Sequence, residues 1–351
     1  MTRRPTAARA TFAPVKVVIA AAFAVLAILI PFIYPSPYGT GVMVTIAILV
    51  VLNASWNFLL GVAGVWNFGQ LALYAAGGYG CGILMVHASF APLPGILAGT
   101  VAGALLAVLL AFPTLRLYGI YTSLLTFAAA QVVQLVIQND DTGTTGGAFG
   151  LPSVKGLFGS LSPLWNVRAY YWLYLAVAIV VVAGLAWLVR TPYGLAVRTT
   201  RDSLPYGSAR GIDPLRYRVS AFALSGAIAG LAGGMYTVYN GSIAPNVMGL
   251  TPMSIYVTMI VVGGLGTVTG PIIGTIVVTI IQQALIDHPG TQLTVLGAIL
   301  LVIVIFFPRG IADQAARVQR RVVAWMDEEE DVEDVDLDRT AGPQLATQRG
   351  G

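Results

Sequence analysis

Long apolar stretches separated by short turn signals dominate the chain. No Asp, Glu, Lys or Arg occurs between Lys16 and Arg116, a run of 99 residues. Because a helix needs roughly 20 apolar residues to cross a bilayer, this run alone accommodates about four spanning helices. The turn signals YPSPYG (34–39), GVAGVWNFG (61–69) and SFAPLPG (89–95) divide it.

The same pattern continues downstream and predicts an all-α polytopic bundle of about ten transmembrane helices. The apolar sequence from Pro252 to Ile286 is 35 residues long, more than one helix needs, and GGLGTVTGP (263–271) interrupts it. We therefore divide it into two spans, with a glycine-broken helix pair as the alternative. The predicted spans are 17–34, 41–60, 70–87, 95–112, 118–138, 170–189, 217–238, 252–264, 270–286 and 291–307.

Composition agrees with this pattern, since 57% of the residues are hydrophobic and only 10% are charged. Soluble domains carry roughly 25% charged residues, so a polytopic membrane protein is the class that fits. A cleaved signal peptide is the rival interpretation of the first apolar run. That run is long for a signal peptide and no A-x-A site follows it before Pro35, so we interpret it as a retained first span.

The distribution of Arg and Lys predicts the orientation. With the N-terminus in the cytoplasm, the inner segments hold fifteen of these residues, whereas the outer loops hold only Lys155 and Arg168. An even number of spans returns the C-terminus to the cytoplasm. The predicted organisation is a basic N-terminus (1–16), a transmembrane permease domain (17–311) with an external loop (139–168) and an inner loop (190–218), and a cytoplasmic tail (312–351).

The tail is strongly acidic. Nine of the fifteen acids in the chain fall between Asp327 and Asp338. A segment with so much charge and so little apolar surface does not fold alone, so we expect a disordered, solvated tail. A regulatory or partner-docking role is the alternative.

Glycines recur at a spacing of four residues in three places. On a helix this spacing forms a flat strip along which another helix backbone approaches closely. We therefore expect these glycines to serve helix packing. The three sets are Gly95, Gly99 and Gly103; Gly226, Gly230 and Gly234; and Gly266, Gly270 and Gly274.

The motifs of catalysis, ATP hydrolysis and metal binding are missing from the sequence. It has two histidines, one cysteine (Cys81), no acid within a predicted span and no G-x-x-x-x-G-K-[ST] loop. We therefore expect no enzyme activity, no metal and no cofactor on this chain. Proton coupling normally uses intramembrane acids or histidines and is disfavoured, whereas sodium coupling through carbonyls of broken helices stays open.

Uncharged polar residues lie within the predicted spans. Neutral amides and hydroxyls line a polar path without the cost of a fixed charge, and would suit a neutral or zwitterionic solute. The alternative is ordinary hydrogen bonding between helices or to a second membrane subunit, worth about 0.6–2 kcal/mol each. The candidates for the path are Asn53, Asn57, Gln70, Thr126, Gln131 and Gln134.

The inner loop 190–218 carries six arginines. Ser203 is suited to cap a short helix with Pro205 in its first turn, ending at Gly207 or Gly211. A helix on a basic inner loop is suited to dock on a cytoplasmic partner. The alternative is that the arginines only anchor the loop inside.

Six segments, in their order and spacing, resemble the membrane subunits of branched-chain amino acid ABC importers, and specifically the LivM type. They are LNASWNFLLGVAGVWNFGQLALYAAGGYGCGIL (52–84), LRLYGIYTSLLTFAAAQVVQLV (115–136), TGTTGGAFGLPSV (142–154), YGLAVRTTRDSLPYGSARGIDPLRYRVSAFALSGAIAGLAGGMY (193–236), VVGGLGTVTGPIIG (261–274) and FFPRGI (306–311).

The resemblance implies a subunit of a bacterial-type plasma membrane importer for branched-chain or related neutral amino acids. It implies a second permease subunit, two cytoplasmic ATPase subunits that bind ATP and Mg, and an extracytoplasmic solute-binding protein. It places Arg198, Arg201, Asp202 and Gly211 on the motif that couples the permease to the ATPase.

The chain departs from the family pattern at SLPYGSA (203–209) and at Gln131 and Gln134. Relatives of this subunit type are associated with urea and short amides, so an importer for those solutes is an alternative. A stand-alone channel or secondary carrier, which would need no ATPase, is a third possibility.

Overall fold

The computed structural model describes residues 36–117, 119–152, 154–158, 162–202, 211 and 213–286, with scattered positions between 294 and 310. The predicted span 17–34, nearly all of the span 291–307, the basic N-terminus and the acidic tail lie outside these residues. Within the described part, residues up to Ser254 belong to one compact unit and residues from Ile255 onward to a second.

Nine α-helices make up most of the described chain. The first continues without interruption into a π-helical turn, Phe58–Val62. The α-helices are α1 (Pro37–Asn57), α2 (Gln70–His87), α3 (Pro92–Thr114), α4 (Ile120–Gln138), α5 (Pro163–Leu188), α6 (Pro192–Asp202), α7 (Pro214–Asn240), α8 (Leu250–Gly263) and α9 (Gly270–Ala284).

Eight of the predicted spans fall within the described residues, and each coincides with one of these helices. Five helices are long and apolar enough to cross a membrane: α3, α4, α5, α7, and α1 together with its π-helical turn. The prediction of a polytopic helical bundle is confirmed, whereas the total number of spans stays a prediction. Helix α5 begins seven residues before the predicted span, because Ser162 and Pro163 form a favourable helix start, so the external loop is shorter than expected.

The two helices predicted at 252–264 and 270–286 are short. Helices α8 and α9 have 14 and 15 residues. At about 1.5 Å per residue they are roughly 21–22 Å long, less than the hydrocarbon thickness of about 30 Å. Gly266 lies between them with φ +77°, so the third glycine set does not form one helical strip as expected; only Gly270 and Gly274 are helical.

Glycines bring α2, α3 and α7 into backbone contact. A Cβ atom built on Gly77 of α2 would lie 2.2 Å from the Cα of Gly230 in α7. One on Gly103 of α3 would lie 2.5 Å from the carbonyl oxygen of Gly226 in α7. The three helices therefore pack at a distance that only glycine permits at these positions.

The other members of the first two sets extend the same contacts. A Cβ atom on Gly99 would lie 2.3 Å from the carbonyl oxygen of Gly77. Gly95 faces the side chains of Cys81 and Met85 on α2, and Gly234 faces Ile96 on α3. The first two glycine sets thus meet each other along α3 and α7.

The outer faces of the bundle are apolar. Leu97, Val101, Leu105 and Leu109 recur every four residues on α3, and each is more than half exposed. Trp187 near the end of α5 is also largely exposed. Contiguous apolar surface of this kind suits contact with lipid or with another membrane subunit.

The helices of the first unit run alternately between two ends. Helices α3 and α5 lead to Arg116 and Arg190, and α7 begins beside Arg216. We name this side the arginine end. At the opposite side, α4 leads into the loop of Asp140, and α7 ends at Gly241. From the positive-inside rule we expect the arginine end to face the cytoplasm, and this orientation stays a prediction.

Candidate functional site

An irregular segment lies inside the bundle between α1 and α2. We name residues 63–69 the buried connection, because Val65, Asn67 and Gly69 are all buried. Non-helical backbone at membrane depth is tolerated only where protein encloses it or where it lines a cavity. The departure from α-helical hydrogen bonding begins at the π-helical turn, where the Ala63 amide donates to the carbonyl of Phe58, five residues earlier, at 3.0 Å.

Side chains satisfy the polar backbone of this connection. The indole nitrogen of Trp56 donates to the Asn67 carbonyl at 2.7 Å, and the Gly69 amide donates to Asn67 Oδ1 at 2.9 Å. From α4, Thr126 Oγ1 accepts a hydrogen bond from the Phe68 amide at 3.0 Å. These contacts hold the connection in place without helical hydrogen bonding.

Gln70, the first residue of α2, links three helices. Its Nε2 atom donates to the hydroxyls of Ser55 on α1 and Ser225 on α7, each at 3.0 Å. Its Oε1 atom accepts from Asn67 Nδ2 at 3.0 Å. The Ser225 hydroxyl in turn lies 3.0 Å from the Ser55 carbonyl, to which it donates. We name Ser55, Asn67, Gln70 and Ser225 the polar network.

The sequence predicted Gln70 and Thr126 as path residues, but it did not single out Ser55 or Ser225. Gln70 and Thr126 are fully buried and bonded to protein groups, so in this conformation they line no open path. The only sequence signal for Ser225 is a hydroxyl placed just before Gly226 at the start of a glycine set.

The remaining path candidates lie on α1 and α4. Asn53 and Asn57 are buried on α1. Gln131 and Gln134 are half-buried on the C-terminal half of α4, and among the described contacts neither bonds to the network. The structure brings Gln70 and Thr126 to the buried connection, and the role of all six candidates in a path stays a prediction.

At the arginine end, α6 lies against the start of α7 and the π-helical turn. The sequence predicted a short helix beginning at Ser203, which falls among residues outside the description. The described helix lies before it, at Pro192–Asp202, with Ala196 and Val197 buried and Arg198 exposed. Its alternation of buried and exposed positions gives it one apolar and one cationic face.

Arg201 connects α6 to the π-helical turn. Its Nη1 atom donates to the Gly61 carbonyl. Its aliphatic stem lies against Gly64, where a Cβ atom would lie 2.3 Å from the arginine Cγ. Of the other predicted coupling residues, Asp202 ends α6 and Gly211 has φ +79°, a left-handed conformation that favours glycine.

At the opposite end, hydrogen bonds hold the loop that follows α4. The Asp140 carboxylate accepts hydrogen bonds from the amide and hydroxyl of Thr142 and from those of Thr145. Donation by Thr142, then by Thr145, holds the pKa of Asp140 well below its ordinary value. Further along, Leu151 and Ile243 exchange backbone hydrogen bonds of 2.8 and 3.1 Å in an isolated bridge.

The apolar helices, the buried connection and the cationic end define a multi-pass membrane protein of the permease type. A family model described as "Branched-chain amino acid transport system / permease component" matches residues 38–306. The chain belongs to this family, and the resemblance drawn from its sequence motifs is confirmed.

Curated relatives carry permease names. The high-affinity branched-chain amino acid transport system permease protein LivM of Salmonella typhimurium is 27% identical over 290 residues, covering 75% of this chain and 67% of the relative. The LivM protein of Escherichia coli K12 is 26% identical over 319 residues, covering 83% and 73%.

A second group of relatives bears a different name. The autoinducer 2 import system permease protein LsrC of Yersinia pseudotuberculosis is 29% identical over 201 residues, covering 54% of this chain and 53% of the relative. No solved structure matches the chain significantly.

Proposed function

We propose that this chain forms part of the translocation path of an ABC importer for branched-chain or related neutral amino acids. Separate ATPase subunits, which bind ATP and Mg, would supply the energy from the cytoplasm. A second permease subunit would complete the path, and an extracytoplasmic binding protein would deliver the solute. Family membership and the names of the LivM relatives support the solute class.

The observation that carries the mechanism is the contact of Arg201 with Gly61. Helix α6 lies at the arginine end, where an ATPase would dock if this end is cytoplasmic. A displacement of α6 would pull on the π-helical turn and thereby on the buried connection. The buried connection is bonded to α4 through Thr126, to α7 through Gln70 and Ser225, and to α1 through Trp56, so one displacement would reach three helices.

The chemistry of the buried groups suits an uncharged or zwitterionic solute. The buried polar side chains around the connection are amides and hydroxyls, without an acid or a base among them. Such groups offer hydrogen bonds without discriminating strongly by net charge. Opening of the polar network during the transport cycle would expose them to the solute.

A permease for another small polar solute is the second candidate. The relatives named for autoinducer 2 import favour it, because they match this chain at about the same identity as the LivM relatives do. A urea or short-amide solute belongs to the same candidate. Substrate selection by a separate binding protein would allow related permeases to serve different solutes.

Co-purification of the tagged full chain from its native membrane in mild detergent tests the assembly. We expect a second permease and ATPase subunits to accompany the chain, together with ATP hydrolysis. The variant Arg198→Glu should lower the recovered ATPase, because Arg198 is exposed on α6, whereas Lys155→Glu at the opposite end should not. Recovery of the chain alone, without ATPase activity, would indicate a channel or secondary carrier.

A further inference from the structure

One large apolar side chain projects from the loop that follows α4. Gly147–Phe149 form a single 3-10 turn in this loop, and Phe149 is 97% exposed. The loop lies opposite the arginine end, at the end of the first unit that we expect to face the outside of the cell. A single exposed apolar residue is common on proteins, so its meaning depends on how the loop holds it.

Hydrogen bonds hold the loop before and after this turn. On one side, the Asp140 carboxylate accepts from the amides and hydroxyls of Thr142 and Thr145. On the other side, Leu151 and Ile243 exchange backbone hydrogen bonds of 2.8 and 3.1 Å, and both side chains are buried. The backbone that carries the exposed phenylalanine is therefore fixed on both sides.

Two glycines allow the chain to pass tightly around the turn. Gly146 and Gly150 have φ of +74° and +75°, in the left-handed region that favours glycine. A Cβ atom on Gly150 would lie only 2.1 Å from the Ile243 carbonyl oxygen. Because the backbone is already ordered, contact of Phe149 with a partner requires little further loss of conformational entropy.

A second exposed phenylalanine lies on the neighbouring loop. His87 at the end of α2 hydrogen-bonds through Nε2 to the Thr144 carbonyl at 3.1 Å, so the loop between α2 and α3 begins beside the loop of Phe149. Phe90 in that neighbouring loop is 46% exposed. The two loops therefore present two aromatic side chains at the same end of the first unit.

The charge beside the turn favours water over lipid. Gly147, the first residue of the turn, lies against Asp140, since a Cβ atom on Gly147 would be 3.5 Å from the Asp140 carbonyl oxygen. The hydroxyl and amide donors of the loop keep the pKa of Asp140 well below its ordinary value, and the adjacent Asp141 is exposed. Ionised carboxylates beside the turn make insertion of Phe149 into the hydrocarbon unfavourable, so the surface suits a water-soluble partner.

We propose that Phe149 and Phe90 form a docking surface for the solute-binding protein of the importer. This inference rests on the proposed function, because that function supplies a soluble protein that meets this end of the chain from outside. Aromatic side chains that enter apolar recesses of a partner contribute most of the binding energy in many protein interfaces. The binding protein would therefore present an apolar recess to Phe149 and basic side chains to Asp140 and Asp141.

Titration with the solute-binding protein tests the proposal. The complete importer is reconstituted in nanodiscs, and ATP hydrolysis is measured against the concentration of its binding protein loaded with leucine. Phe149→Ala should raise the half-maximal concentration about tenfold, because it removes the aromatic anchor. Hydrolysis at saturating binding protein should approach that of the wild type, because the substitution weakens docking alone. Phe90→Ala, at the less exposed position, should raise the half-maximal concentration about threefold.

Two further variants separate a loss of docking from a general effect on the complex. Phe149→Leu keeps an apolar side chain and should restore most of the docking. Trp187→Ala removes an exposed aromatic side chain from the arginine end and should keep the wild-type half-maximal concentration. Because Phe149 is almost wholly exposed, its replacement should leave the stability of the fold unchanged.

Cross-linking identifies what position 149 contacts. Cys81 is the only cysteine of the chain and is buried, so Phe149→Cys places one accessible thiol on this chain for labelling with benzophenone maleimide. Illumination with saturating binding protein should give an adduct between the two proteins, which mass spectrometry identifies. Adducts with lipid alone would overturn the proposal, because Phe149 would then belong to the aromatic belt of the membrane.

The titration also distinguishes failure of this inference from failure of the proposed function. Equal half-maximal concentrations in all variants would overturn the docking surface and leave the proposed function in place. Absence of both stimulation and uptake in the wild type would overturn the proposed function and the docking surface with it.

Discussion

Arg201 of α6 donates a hydrogen bond to the carbonyl of Gly61, a residue 140 positions earlier in the chain. The contact joins the amphipathic helix at the arginine end to the π-helical turn that precedes the buried connection. Gly64 makes the approach possible, because any side chain there would overlap the arginine stem. The helix that carries most of the predicted coupling residues thus contacts the π-helical turn and the buried connection directly.

Close packing of α3 against α7 leads to a stability prediction. Gly230→Val should lower the free energy of unfolding by about 3 kcal/mol, because its new Cβ atom would overlap Gly99 and Gly103 of α3. Cys81, the only cysteine in the chain, is buried on α2, so its labelling by a maleimide dye during heating reports unfolding. The variant should label at a lower temperature than the wild type.

The control for this substitution is Gly184→Val on α5. A Cβ atom on Gly184 meets nothing within 4 Å, so its labelling curve should stay close to that of the wild type. Equal curves for both variants would show that α3 and α7 do not depend on the glycine contact.

The polar network gives a second prediction. Gln70→Leu keeps the approximate size of the side chain but removes the acceptor of Asn67 Nδ2 and the donor to the hydroxyls of Ser55 and Ser225. Leaving buried polar groups unpaired should cost about 1–3 kcal/mol of unfolding free energy. The same thermal labelling measures it, with Gln138→Leu on the exposed face of α4 as the control. A Gln70 variant as stable as that control would mean that the network does not hold the helices together.

The ordered loop after α4 predicts a defined response to pH. The folded-state pKa of Asp140 is lowered by its hydroxyl and amide donors, so its ionised form stabilises the loop at any pH above about 4, the ordinary value of the carboxyl. This stabilisation is lost only as the pH falls through the lower folded-state value. Hydrogen–deuterium exchange of the loop, corrected for intrinsic rates, should therefore be equally slow at about pH 7 and about pH 5.

Substitutions distinguish the effect of Asp140 from that of its neighbour Asp141. Asp140→Asn replaces a carboxylate oxygen with an amide nitrogen, which cannot accept hydrogen bonds from Thr142 and Thr145. The amides of the loop should therefore exchange faster at both values of pH. Asp141→Asn changes the adjacent exposed residue and should leave exchange unchanged. Faster exchange of the wild-type loop as the pH falls toward 5 would show that Thr142 and Thr145 do not lower the pKa of Asp140 in this way.

The sequence predicted the helices well, because a long uncharged stretch bounded by turn signals leaves few alternatives in a membrane. It did not reveal that the turn GVAGVWNFG (61–69) is buried, since glycine and asparagine mark surface loops equally well. Gln70 was predicted as a path residue because it is an uncharged amide within a predicted span, and the sequence does not show its partners. Only the fold shows that Ser55 and Ser225, on distant helices, converge on it.

At the arginine end, too, the sequence predicted only part of the structure. The helix predicted from Ser203 lies outside the described residues and stays a prediction, whereas the helix that begins at Pro192 was not predicted. The sequence Pro192–Tyr193–Gly194 looks like a helix breaker, but proline suits the first turn of a helix, and Gly194 is needed there because it lies against the end of α5. Spacing alone likewise could not show that Gly266 belongs to a connection with positive φ.

Coupled transport measured with Arg201 variants tests the central claim most directly. The complete complex is reconstituted in liposomes, and ATP hydrolysis and uptake of labelled leucine are measured on the same sample. Arg201→Glu should retain most ATP hydrolysis but lose most uptake, Arg201→Lys should retain part of both, and Lys155→Glu should resemble the wild type. The same ratio of uptake to hydrolysis in Arg201→Glu as in the wild type, in an intact complex, would contradict the proposal that this contact carries the ATP-driven motion.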